Sequence, residues 1–415
     1  MFYGSISASR INQIADQIGF RKGSLPFTYL GVPIFKGKPQ RCHLQPIADK
    51  IKSKLASWKA SLLSIAGRVT LVKSVIQSML VHYISIYSWP KKLLNDIETL
   101  TRNFIWSGDV SKRKLVTVSW KKSCKPLSEG GLGIRSLSLL NESTNLKLCW
   151  DLLSSKEDWA TLLRSKVIRG RRVISHHIFS SIWSSVNNEF STIQANCGWQ
   201  LGNGNNINFW LDNWCGISIA SQLNIPQHLQ ENLNAKVLDF ILNGRWNFSV
   251  LNRLPLVKSL VEHVTIPFEI TEDKRIWQPS NNGVLTFKNA FEFKYGVGQN
   301  IKWAKDLWCS DIPPTKSLLV WRIMHNKVPI DENLWSRGFQ FPSMCSSCFK
   351  HCETTFHLFF ECTFAKHLWD WLFSITNRSM QFSNCLDFWK ILDRNWSPQC
   401  KTVLKACMIN IIYTV

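Results

Sequence analysis

Four residues near position 350 have the types and spacing of a metal site. Cys345, Cys348, His357 and Cys362 follow the pattern C-x2-C-x8-H-x4-C. A C-x-x-C turn offers two thiolates to one ion, and an imidazole with a third thiolate fills the four positions zinc prefers. A filled shell leaves no place for a reacting water, so the ion such a set holds is structural. On spacing alone, Cys352 could replace Cys348 or His357, and His351 could also compete. The plain alternative is a set of reduced cysteines that pack as small apolar side chains. Between Cys345 and Cys362 the charges are Lys350 against Glu353 and Glu361, so this segment is not itself suited to phosphate.

No catalytic centre can be assembled from the remaining motifs. A two-metal polymerase or nuclease needs carboxylates that share ions about 3.5–4 Å apart. The chain has no Asp-Asp pair. Its adjacent acids are Glu157-Asp158, Glu272-Asp273 and Asp331-Glu332, which read as solvated helix starts. Gly202-Asn203-Gly204 lacks the third glycine of a dinucleotide fingerprint. It reads as a turn leading into a short strand at Ile207-Asn208-Phe209-Trp210. No catalytic residue is assigned.

Charge supplies the other functional signal. Lysine and arginine number 50 against 28 acids in 415 residues, a formal net charge of +22. Such a chain tends to meet anions. From Arg41 to Lys125 there are 16 basic and 4 acidic residues, so over half of the excess lies in this region. A second cluster holds Arg164, Lys166, Arg169, Arg171 and Arg172. No apolar stretch approaches the ~20 residues that span a bilayer, so no membrane role is expected. The N-terminus does not read as a secretory signal. Thirteen cysteines, an odd number, then suggest a reduced intracellular protein, nuclear or cytoplasmic.

The elements that position these groups follow from periodicity. Ile11, Ile14 and Ile18 share a helical face that ends at Gly19, and residues 25–34 suit a short edge strand with prolines near both ends. Leu44, Ile47, Ile51, Leu55, Trp58 and Leu62 form one helical stripe, with Lys50, Lys52, Lys54 and Lys59 mostly off it. For Trp58 this favours core packing over base stacking. A second helix is expected from about Ile65 to Ser88, before Pro90, and a third carries Leu93, Ile97, Leu100 and Phe104. Glu129-Gly130-Gly131-Leu132-Gly133-Ile134 is a glycine turn without the flanks of a phosphate loop. A short alternating segment lies at Gly283–Phe287, and Phe356, Phe359, Phe364 and Trp369 are expected around the cysteine cluster.

Read in order, these segments resemble the C-terminal part of a plant LINE-type (non-LTR) retrotransposon reverse transcriptase. Leu25-Pro26-Phe27-Thr28-Tyr29-Leu30-Gly31-Val32-Pro33 is similar to that family's segment after the palm, which implies a primer-grip-like role for Tyr29, Leu30 and Gly31. Trp58 with Ala66-Gly67-Arg68-Val69-Thr70-Leu71-Val72-Lys73 resembles its helical thumb. Phe104-Ile105-Trp106, Gly130-Gly131-Leu132-Gly133 and Phe209-Trp210-Leu211-Asp212-Asn213-Trp214 follow in the family's order. Ile312-Pro313-Pro314-Thr315-Lys316 and Leu319-Val320-Trp321-Arg322 resemble the lead into its zinc-binding domain (zf-RVT), whose ligands fall on Cys345, Cys348, His357 and Cys362. The resemblance thus implies zinc and makes Cys352 a bystander. It also implies a catalytic palm with a Tyr-x-Asp-Asp motif upstream of this chain, and often an RNase H domain after it. Neither motif set is found here.

The expected fold is α+β and mostly α-helical. A post-palm segment at 1–40 leads to a basic thumb-like helical domain at 41–150 and a connector at 151–270. A zinc-binding helical module at 271–390 and a tail at 391–415 follow. The expected function is a non-catalytic reverse-transcriptase fragment with structural zinc. It would bind RNA or DNA by sequence-independent phosphate contacts from Lys50, Lys54, Lys59, Arg68 and Lys73. The alternatives are part of an active enzyme with a palm supplied upstream or by a partner, where magnesium would be needed, and a zinc-stabilised protein-interaction module.

Overall fold

More than half of the chain is helical, and its strands are only two to four residues long, which makes it a mostly helical α+β protein. The computed structural model describes residues 7–415 apart from 20–22, 59, 171, 175, 177, 270 and 378. Two compact units emerge: one from residues 1–35, 39–141 and 297–415, the other from residues 36–38 and 142–296.

In the first unit, the helix Ala8–Ile18 stops at Gly19 as its sequence requires. Residues 25–34 form a hairpin rather than a single edge strand: Phe27–Tyr29 pairs antiparallel with Val32–Ile34. Leu30 and Gly31 both have positive φ, the pattern of the two-residue turn that suits strand twist. The helix Arg41–Ser57 buries Leu44, Ile47, Ile51 and Leu55 and packs on the helix Lys91–Ser107, which buries Leu93, Leu94, Ile97 and Phe104. The apolar stripe ends one turn earlier than its spacing predicts. The backbone extends at Trp58, and Leu62 stands 79% exposed in a short 3-10 turn. Trp58 is half-buried with its ring 5.5 Å from that of Phe104, a packing role.

The next helical rod starts where Ser64 caps the Gly67 N–H. It runs Ile65–Leu71, then a π-helical turn at Val72–Ile76, then Gln77–Ile84. It ends before the expected Ser88. The Asn141 carboxamide takes over by accepting the Trp89 N–H at 2.7 Å. Ile65–Leu71 packs against the helix Pro314–Met324, and that helix packs in turn against Pro398–Thr414.

The centre of this unit is Trp321, which is fully buried. Its indole N–H donates to the Gly130 carbonyl at 2.7 Å, and its ring stacks on Trp106 with centroids 6.1 Å apart. His325 Nε2 lies 3.0 Å from the same carbonyl. The glycine turn is what lets these groups close. A Cβ at Gly131 would fall 2.0 Å from the Lys125 carbonyl oxygen, and one at Gly130 would press on Trp303.

The second unit pairs Cys197–Gln200 antiparallel with Lys274–Trp277. Trp150, Trp183 and Trp277 fill one core, and Phe209, Trp214, Phe240 and Trp246 are grouped in another. The expected strand at Ile207–Trp210 is reduced to one bridge, Asn208 with Lys236. The short alternating segment at Gly283–Phe287 leads into a helix, Phe287–Tyr295. Glu272-Asp273 is not a helix start. The Asp273 carboxylate accepts N–H bonds from Gly202, Gly204 and Asn206, each 2.8 Å long, and Glu272 pairs with Lys156. The amides that would cradle a phosphate in a nucleotide loop are therefore held by a carboxylate of the chain itself.

Among the described residues, no helix is long and apolar enough to cross a membrane. Trp321→Ala should remove about 3–5 kcal/mol of stability, read as a lower urea midpoint for the transition of the first unit. An unchanged midpoint would contradict the central place given to this side chain. Asp273→Ala should destabilise the second unit by about 2 kcal/mol, because three backbone donors lose a charged acceptor. Thermal unfolding followed by tryptophan fluorescence would show it.

Candidate metal centre

The Cys345 end of the site is a tight turn. The Cys345 N–H donates to the His351 carbonyl at 2.7 Å, and the Phe349 N–H returns to the Cys345 carbonyl at 2.9 Å. The other two donors come from a π-helical turn, His357–Glu361, and from Cys362, which caps the helix Thr363–Thr376. The Cys362 N–H bonds the His357 carbonyl at 2.7 Å, so these two ligands are fixed relative to one another. The intervening loop is pinned from outside: Thr355 N–H donates to the Glu332 carboxylate at 2.8 Å, and Glu353 N–H to the Ser343 hydroxyl at 2.9 Å.

Beneath the turn lies an aromatic floor. Leu358, Phe359 and Phe360 are buried, and the Trp369 indole donates to the Phe359 carbonyl at 2.9 Å. Phe360 also meets Trp369 and Phe388. Phe364, expected in this group, points outward and is 43% exposed. It sits one residue before Ala365, off the stripe that Ala365, Trp369, Leu372 and Phe373 bury.

The ligand atoms of Cys345, Cys348, His357 and Cys362 all lie within 4.8 Å of one another. Cys345 Sγ is 3.9 Å from Cys362 Sγ, and Cys348 Sγ is 3.3 Å from His357 Nε2. A tetrahedral zinc bound at about 2.3 Å by sulfur would set its sulfurs about 3.8 Å apart. The donor set therefore fits a Cys3His ion. Cys352 is exposed and stands outside this group, as does His351. The thiols differ in readiness. The Lys350 N–H, with the His357 ring and the His351 N–H, pulls Cys348 down to about 6. Burial pushes Cys345 up, so an arriving cation would have to displace its proton. Elsewhere, burial raises Cys124 and Cys149 to about 12 and leaves them inert.

The basic residues separate into two sets. Lys50 and Lys54 are exposed on the solvent face of the helix Arg41–Ser57. Lys59 lies outside the described residues, as does Arg171 of the second cluster. Arg68 and Lys73 are turned inward. Arg68 donates from Nε to the Ala60 carbonyl and from Nη1 to the Ile105 carbonyl, each at 3.1 Å. Lys73 Nζ donates to the Leu132 carbonyl at 3.2 Å, and burial lowers its pKa. In this structure both side chains donate to backbone carbonyls and brace the fold. Arg164 is likewise held by the carbonyls of Leu153 and Ser155. Tyr29 and Leu30 stand at the hairpin tip, 63% and 78% exposed, with Gly31 completing the turn. Sequence reasoning singled out no residue in the run Lys112-Arg113-Lys114, although its charge was the available signal.

Comparison with known proteins bears on the same region. Residues 285–369 match the family described as zinc-binding in reverse transcriptase. The chain is 26% identical over 353 residues to an Arabidopsis thaliana protein named "Putative ribonuclease H protein". That match covers 81% of this chain and 57% of the relative, so the chain spans little more than half of that protein's length. An uncharacterized mitochondrial protein of Arabidopsis thaliana is 26% identical over 139 residues, covering 32% of this chain and 90% of that one. These similarities support a reverse-transcriptase-related chain.

The centre makes a stoichiometric forecast. The purified chain should carry one zinc per molecule by elemental analysis, and Cys345→Ser should lose it. Cys352→Ser should retain it. Loss of zinc from the Cys352 variant would show that the wrong ligand set has been chosen.

Proposed function

We propose that this chain is a nucleic-acid-binding, non-catalytic part of a LINE-type reverse transcriptase, braced by a structural zinc ion. The observation that carries the reading is the exposed face of the helix Arg41–Ser57. Lys50 and Lys54, one turn apart, are exposed on one flank and Lys52 on the other, while the face carrying Leu44, Ile47, Ile51 and Leu55 is buried in the core. Lys91 and Lys92 are also exposed, at the start of the partner helix Lys91–Ser107. Cations held on rigid helices suit the regular charge of a nucleic-acid backbone, which gives affinity without base readout.

The zinc serves this surface indirectly. Its ligand loop is nearly neutral, and its aromatic floor and the helix Pro314–Met324 belong to the same compact unit as the basic helices. A full Cys3His shell gives the ion no catalytic position. Nucleotide addition would need carboxylates and magnesium from a palm-containing segment or partner.

Binding of an RNA–DNA hybrid should weaken steeply as salt rises. Lys50→Gln with Lys54→Gln should make the slope of log affinity against log salt shallower by about 2. Affinity that ignores salt would remove the backbone-contact account. In primer extension, the purified chain should add no nucleotide, and metal-dependent incorporation would contradict the non-catalytic assignment.

A further inference from the structure

A concave site of about 310 Å³ lies between the end of the helix Lys91–Ser107, the segment 113–120 and the zinc-side residues Lys327 and Arg337, all within the first unit. Five cations line it: Arg102, Arg113, Lys114, Lys327 and Arg337. Among the described residues, no carboxylate lines the cavity or pairs with any of the five. Five unneutralised cations around one cavity repel one another, and the arrangement is relieved by an anion that several of them share.

Two further features fit an oxygen-rich ligand. Trp106 and Trp120 also line the cavity, and the indole Nε1 of each is buried with no hydrogen-bond partner among the described residues. An indole N–H only donates, so the unmet need is for an acceptor. Trp106 itself is 4% exposed, held in place by its stacking on Trp321. The carbonyl end of the helix Lys91–Ser107 would oppose an anion. That end is already offset, because the Arg68 guanidinium bonds the Ile105 carbonyl and lies against Gly108. The guanidinium forks of Arg102, Arg113 and Arg337 match the paired oxygens of a phosphate group.

We propose that this cavity is a phosphate-binding site that holds the backbone of a nucleic-acid strand. It is separate from the lysine face of Arg41–Ser57, and it rests on the nucleic-acid reading only for the source of the phosphate.

The test uses the full zinc-loaded chain and three exposed positions, Arg113→Gln, Lys114→Gln and Arg337→Gln combined. A control removes equal charge elsewhere on the surface, through Lys166→Gln, Lys305→Gln and Lys366→Gln. Probes are inorganic tripolyphosphate, by calorimetry, and a single-stranded oligonucleotide, by fluorescence anisotropy. The cavity variant should lose about tenfold or more in affinity for both probes, with a salt slope for the strand shallower by about 2. The control should keep its tripolyphosphate affinity. Tripolyphosphate binding that depends on the cavity, without strand binding, would keep the phosphate site and overturn both its strand source and the nucleic-acid reading. Strand affinity lost in the Lys50 and Lys54 variant but unchanged in the cavity variant would overturn this site and leave that reading standing. Equal losses in control and cavity variant, or no binding of either probe, would overturn the site.

Discussion

The first unit depends on one buried contact, the indole of Trp321 against the carbonyl of Gly130. That contact joins segments 191 positions apart. The carbonyl is reachable because the Gly130-Gly131 turn presents no Cβ to Lys125 or Trp303. Once the indole is seated, Trp106 stacks on it, and the helix Lys91–Ser107 is fixed against Pro314–Met324. The helix Arg41–Ser57 packs on Lys91–Ser107, so its exposed lysines inherit a fixed position. A long lysine side chain on a rigid helix needs little further ordering of the backbone to meet a phosphate, whereas one on a mobile loop would lose that ordering entropy on binding.

The metal centre does analogous work within the same unit. The loop from Phe339 to Thr355 has almost no regular secondary structure, and it leaves Phe339, Met344 and Phe349 exposed. Hydrogen bonds from Thr355 and Glu353 pin its far end. A tetrahedral ion would pin the near end by tying the Cys345 turn to the helix capped by Cys362. Zinc in this account is a crosslink between local elements, in a segment whose own charges nearly cancel.

Legibility in the sequence followed the range of the interactions. The four metal donors were readable because ligand spacing is set by one turn and one helix start, which are local. The helices from 41 to 107 were readable from their apolar period, but their ends were not. The break at Trp58 leaves Leu62 exposed, and the Asn141 carboxamide that accepts the Trp89 N–H beyond the end of the rod comes from 52 residues away. The inward turn of Lys73 was equally hidden, because its carbonyl partner lies 59 residues on, and from sequence it looks like any other surface lysine. Asp273 is the clearest case: next to Glu272 it reads as a solvated acid, and only the fold brings it to the amides of Gly202, Gly204 and Asn206.

The proposed role of the first unit is to hold a nucleic-acid backbone on its basic helices. The most direct measurement is photo-crosslinking of an RNA–DNA hybrid to the zinc-loaded chain, with adducts mapped by mass spectrometry. Adducts should concentrate in residues 41–57 and 112–125. Adducts confined to residues 142–296, or none above background at low salt, would contradict it.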